Sequence, residues 1–113
     1  MGTSESCASV DNLRDLEQVL QQTDRVITMV YASWCPYCRR VLPVFEKKAR
    51  EEPRHLLLVA DDEEHIADLY GIDVFPTLIL FEKGLVVKRL DAKPGIGLTD
   101  KQITDFIQSC PLA

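Results

Sequence analysis

Two stretches of the chain are apolar at nearly every position rather than at every second one: Arg25-Val26-Ile27-Thr28-Met29-Val30-Tyr31 and His55-Leu56-Leu57-Leu58-Val59-Ala60. A strand with one face in water alternates apolar and polar residues, so unbroken runs of this length belong to strands covered on both faces. Between them Val41, Leu42, Phe45 and Ala49 recur at helical spacing with charged residues in the gaps. Pro43 interrupts that helix and is expected to kink it. Upstream, Ser9-Val10-Asp11 followed by Leu13, Leu16 and Leu20 reads as a capped amphipathic helix ending near Gln22. A short first strand around Glu5 to Ala8 would fit before it; otherwise residues 1–8 are a flexible start.

Downstream of the second run, Asp62-Glu63-Glu64 opens a short helix whose acidic start suits the helix dipole, with Ile66, Leu69 and Tyr70 expected to face inward. Thr77–Phe81 and Leu85–Leu90 flank Glu82-Lys83-Gly84 and read as an antiparallel hairpin. Thr99 with Gln102 makes a capping box, and Ile103, Phe106, Ile107 and Cys110 then share one helical stripe. The order is helix, strand, helix, strand, helix, hairpin, helix. Alternation closed by a hairpin implies an α/β architecture: a mixed sheet of four or five strands with helices on both faces. At 113 residues without a linker-like run, the whole chain, 1–113, is expected to form a single domain.

Composition narrows what such a domain does. A net charge of −5 argues against nucleic acid as a partner, because phosphate binding wants a basic face. The short run Lys47-Lys48-Ala49-Arg50 is a solvated helix face. No segment has the roughly 18 consecutive apolar residues of a membrane span, so no membrane partner is expected. Met1 to Cys7 lacks the basic and apolar regions of a signal peptide, which points to the cytoplasm.

Four cysteines at these spacings do not make a disulfide framework. Cys7 and Cys110 stand alone, Cys110 on an apolar stripe where a small buried hydrophobe is the default. A Cys7–Cys110 bridge would require a short Cα separation. Cys35 and Cys38 are different, because they lie where the first buried strand passes into a helix. A thiolate is the nucleophile in disulfide exchange, and the free N–H groups and dipole at a helix N-terminus stabilise an anion. Pro36, at an early helical position, loses no hydrogen bond. The two intervening residues leave both sulfurs on one helical turn. Cys35 is thus the exposed attacking thiol and Cys38 the buried resolving one. A zinc site would need four ligands, and Cys7, Cys110, His55 and His65 supply no second paired motif, so no metal and no cofactor beyond the dithiol itself is expected. His55 reads as a strand-end residue and His65 as a helix-surface one.

Trp34-Cys35-x-x-Cys38, Pro43 five residues later, Tyr70-Gly71-Ile72, Phe75-Pro76-Thr77 and Lys83-Gly84 together resemble the thioredoxin family in order and spacing, from about residue 10 to the end. The resemblance implies the thioredoxin fold, a central mixed sheet flanked by four helices, and a monomer acting as a protein-disulfide reductase. It implies a cis Phe75–Pro76 bond packed against the dithiol, with the backbone before Pro76 pairing with the extended segment that carries a target disulfide. Trp34, Pro36, Tyr37, Phe75 and Pro76 would line that contact. Partners would be protein disulfides and an electron donor like thioredoxin reductase.

Four features depart from the family. Met29 stands where a buried Asp usually lies, and Leu57 corresponds to the Lys that commonly accompanies it, so the usual proton acceptor for Cys38 is absent. The inner dipeptide is Pro36-Tyr37, familiar from glutaredoxins, and implies a couple less reducing than the thioredoxin value of about −270 mV. The loop from Asp91 to Gly97 is longer than usual. Two alternatives therefore stand beside the reductase: a glutaredoxin-like, glutathione-dependent thiol exchange, and a non-catalytic thiol interaction module.

Overall fold

A computed structural model describes residues 8–110 of the chain. Its elements run β1 (Ser9–Val10), α1 (Leu13–Gln22), β2 (Arg25–Tyr31), α2 (Pro36–Glu51), β3 (Leu56–Ala60), α3 (His65–Tyr70), β4 (Thr77–Glu82), β5 (Leu85–Asp91) and α4 (Asp100–Ser109). The five strands form one sheet in the order β1-β3-β2-β4-β5. β3 lies parallel to β1 and β2, whereas β4 is antiparallel to both β2 and β5, so the sheet is mixed. The hairpin turns through Lys83 and Gly84, both at positive φ, a backbone state that Gly adopts without steric cost.

Why the runs in β2 and β3 are apolar throughout is visible in the packing. Val26 and Val30 of β2, Leu57 and Val59 of β3, and Ile79 and Phe81 of β4 meet Leu16, Leu20, Ile66 and Ala67 of α1 and α3. The intervening residues, among them Ile27, Met29, Leu56, Leu58, Leu78 and Leu80, meet Val41, Phe45, Ala49, Ile103, Phe106 and Ile107 of α2 and α4. Period-two alternation thus feeds two separate cores, and helices cover both faces as expected.

Several local expectations change. The cap of α1 is Asn12, whose side chain accepts from the backbone N–H of Asp15, because Ser9 and Val10 are drawn into β1 beside Leu58 and Val59. The first strand therefore begins at Ser9, and Glu5 to Cys7 lie outside the described residues, as does any Cys7–Cys110 bridge. α2 continues through Pro43 as one helix instead of being interrupted, held on both sides of it by buried Val41 and Phe45. The acidic run does not start α3. Glu64 sits in a left-handed conformation at its N-terminus, and the buried Asp61 carboxylate accepts instead from the N–H groups of Ile66 and Ala67, at 3.0 and 2.7 Å. Leu69, expected inward, is 56% exposed, because a six-residue helix buries one narrow stripe and Ile66 and Ala67 occupy it. At the other end, the Thr99–Gln102 capping box forms as anticipated.

Candidate active site

The centre strand, β2, ends at Tyr31, and a tight turn held by Cys35 N–H to Ala32 O (3.1 Å) delivers Cys35 to the N-cap of α2. Pro36 then occupies the first turn of the helix, where its missing N–H costs nothing. Cys38 follows on the inner face, wholly buried. Both residues are free thiols, within hydrogen-bonding reach of each other.

Two expectations about Cys35 need correction. It is not an exposed thiol: only 5% of its surface reaches solvent, which still makes it the more accessible of the pair. Nor does its sulfur bond the helix N–H groups. Its Sγ points toward the carbonyl of Phe75, 3.9 Å away, across the loop that precedes β4. The dipole of α2 is still aimed at the site, but the nearest polar partner comes from another segment.

That segment is Phe75-Pro76, joined by a cis peptide bond, with both residues buried. Phe75 meets Trp34 edge-on, ring centroids 5.9 Å apart, and Trp34 itself is 54% exposed. Tyr37 is half-buried beside the dithiol. The structure brings Trp34, Cys35, Pro36, Tyr37, Cys38, Phe75 and Pro76 to one end of the sheet.

Two residues missed in the sequence complete the surroundings. The carboxylate of Asp62 accepts from Ser33 N–H at 2.7 Å and Ser33 Oγ–H at 2.5 Å, and its backbone carbonyl accepts from Trp34 Nε1 at 3.1 Å. The Ser33 hydroxyl, with help from its N–H, holds the Asp62 carboxyl below the ordinary aspartate range. The other is Arg40, whose guanidinium lies 5.8 Å from the Tyr37 ring centroid and reaches across to the loop before α4. An exposed Asp at a strand end and an Arg in a basic helix carry no local signal of such roles.

Burial is the main reason the Cys38 thiol is pushed up to about 12; a hydrogen bond from the backbone at Ala32 opposes it, and the Cys35 thiol adds to it. Among the described residues no charge offsets that burial. Thr28, Asp61 and Thr77 are the buried polar residues among those described, and both carboxylate oxygens of Asp61 are engaged by α3. Met29 and Leu57, both buried, point into opposite cores, so these two positions do not form a side-by-side pair. No group of three or more His, Cys, Asp or Glu is arranged to hold a metal ion among the described residues, and no helix there is long and apolar enough to cross a membrane.

The thioredoxin family model matches residues 8–109. A thioredoxin from Mycoplasma genitalium is 33% identical over 82 residues, covering 71% of this chain and 80% of that protein. Protein disulfide-isomerase A5 from Bos taurus is 27% identical over 106 residues, covering 88% of this chain but only 20% of that protein. The chain thus spans about a fifth of the length of that longer relative. Among solved structures, Plasmodium falciparum thioredoxin superposes with a TM-score of 0.78 over 92% of this chain and 99% of that one, at 21% identity.

Proposed function

This chain belongs to the thioredoxin family and has its fold, and on that premise we propose that it is a protein-disulfide reductase with an atypical Cys-Pro-Tyr-Cys centre. The observation that carries the reading is the meeting of two free thiols at the N-terminus of α2 with the Phe75-Pro76 segment, Cys35 Sγ facing the Phe75 carbonyl. Thiol–disulfide exchange needs one sulfur that a partner can reach and a second poised to displace it. Cys35 and Cys38 differ in accessibility in that sense.

The chemistry runs in two displacements. The Cys35 thiolate attacks one sulfur of the target disulfide; a Cys35–sulfur bond forms, the target bond breaks, and the leaving thiolate takes up a proton. Cys38 then gives up its proton and attacks the Cys35 sulfur. The Cys35–Cys38 bond forms, the second target sulfur leaves as a thiol, and two electrons have passed from the protein to its substrate. Trp34, Pro36, Tyr37, Phe75 and Pro76 contact the target segment, whose backbone lies along that of the residues before Pro76. A donor like thioredoxin reductase restores the dithiol. The protein works as a cytoplasmic monomer, residues 1–113 acting as one domain without a metal or added cofactor.

Cys38→Ser tests the assignment, since it should accumulate mixed disulfides with protein substrates through Cys35, resolved by mass spectrometry. Cys35→Ser should abolish reduction of insulin. Activity surviving in Cys35→Ser would assign the nucleophile wrongly. Turnover of glutathionylated peptides in preference to insulin would transfer the reading to the glutaredoxin-like alternative motivated by Pro36-Tyr37. Failure of the wild-type dithiol to turn over any disulfide would leave the interaction module.

A further inference from the structure

The loop that carries the chain from β5 to α4 is closed on itself and fastened at three points. Its start is tied to the Phe75-Pro76 segment by Ala92 N–H to Pro76 O, 3.1 Å. Lys93 and Gly97 form an isolated bridge, with Gly97 N–H on Lys93 O at 2.9 Å and Ile96 N–H on the same carbonyl at 3.0 Å. Beyond it Leu98 is buried and Thr99 caps α4. The third fastening comes from the active-site helix. Arg40 Nη2 donates to Ile96 O at 2.9 Å and to Leu98 O at 3.4 Å, while its guanidinium flanks the Tyr37 ring.

Gly97 makes this approach tight. Its φ is +79°, and a Cβ built there would stand 2.9 Å from Tyr37 Cβ, 3.1 Å from Tyr37 Cδ1 and 3.2 Å from Arg40 Nη2. Only a residue without a side chain lets the turn lie flat against Tyr37. Ile96, the residue before it, has 59% of its surface in water. Because Gly97 backs onto Tyr37, which lies between Cys35 and Cys38 in the sequence, this exposed apolar side chain stands on the turn that borders the dithiol helix.

We propose that Arg40 is a positioning residue that locks the Lys93–Gly97 turn onto Tyr37, so that Ile96 forms an apolar wall beside the dithiol and selects protein disulfides whose cysteine is flanked by a bulky apolar residue. This rests on the reductase reading and adds a substrate class to it. Arg40 does not touch the reacting sulfurs. A single nitrogen, Nη2, spans the carbonyls on either side of Gly97, a task a lysine ammonium can share, but only the planar guanidinium can also lie beside the Tyr37 ring.

The test uses the full chain and two disulfide-linked peptide pairs identical except for Leu or Ser beside the target cysteine. Wild type should show a kcat/KM ratio of about tenfold in favour of the Leu pair, carried in KM. Arg40→Ala and Ile96→Ser should each bring the ratio close to one, and Arg40→Lys should recover part of it. In Arg40→Ala the Gly97 amide should also exchange faster with solvent, while the dithiol potential stays at the wild-type value. A purely structural effect would lower turnover of both pairs together and leave the ratio intact, which would overturn the proposal. So would a wild-type ratio near one. If wild type reduces neither pair, the reductase reading falls and takes this one with it.

Discussion

The state of Cys38 sets the pace of the second displacement, and the expected pace follows from its surroundings. With its thiol pushed up to about 12 by burial, roughly one molecule in 10⁵ carries the thiolate at pH 7, against about 3% for a free cysteine. A more basic thiolate is a better nucleophile, and a Brønsted slope of about 0.45 returns roughly 40-fold of that 3,000-fold deficit. Resolution should therefore run about a hundredfold slower than with an ordinary thiol in the same place. Once Cys35 is tied into a mixed disulfide its own contribution to Cys38 changes, but burial, the largest cause, stays. The sign is fixed: each added pH unit multiplies the reactive fraction by about ten until the Cys38 pKa is reached. The assay is a double jump. The reduced protein reacts at Cys35 in acid with the symmetric disulfide of thionitrobenzoate, releasing one thionitrobenzoate. It is then moved to pH values from about 6 to 10, while absorbance follows the second thionitrobenzoate that Cys38 displaces. The rate should climb tenfold per unit with no plateau below about pH 10. A plateau at pH 8–9 would refute the reasoning, because it would mean that Cys38 finds a proton acceptor not visible in its packing.

Phe45 is fully buried between α2 and the sheet, so Phe45→Ala should cost about 3–5 kcal/mol in urea unfolding without altering the dithiol potential. Asp62 should titrate below the ordinary aspartate range in an NMR experiment, and Ser33→Ala should move its midpoint upward, since the Ser33 hydroxyl is the largest cause of the shift. An unchanged midpoint would remove Asp62 from the account of the Trp34 turn.

What the sequence made legible was whatever depended on local pattern. Unbroken apolar runs located β2 and β3, Thr99 and Gln102 marked the start of α4, and the motif set located the dithiol and Phe75-Pro76. What escaped was decided by distant partners. Ser9 and Val10 read as a helix cap until β3 is present to pair with them. Cys35 reads as exposed until Phe75 and Trp34 close in on it. Arg40 reads as one charge in a basic helix; its purpose depends on carbonyls 56 and 58 residues away. The single hint was the pair of glycines, Gly95 and Gly97, both at positive φ between β5 and α4.

The placing of β2 has a consequence for durability. It is hydrogen-bonded along both edges, to β3 and β4, and both of its faces lie under helices. Hydrogen exchange should therefore find it among the last parts of the chain to open, well after the two-residue β1 and the outer strand β5. Since the dithiol hangs from the end of β2, ordinary breathing of the sheet margins does not uncover Cys38. Were a peroxide to oxidise Cys35 to a sulfenic acid, Cys38 is the thiol that would condense with it, losing water to give a reducible disulfide. The dithiol is thereby suspended from the part of the sheet least given to local unfolding.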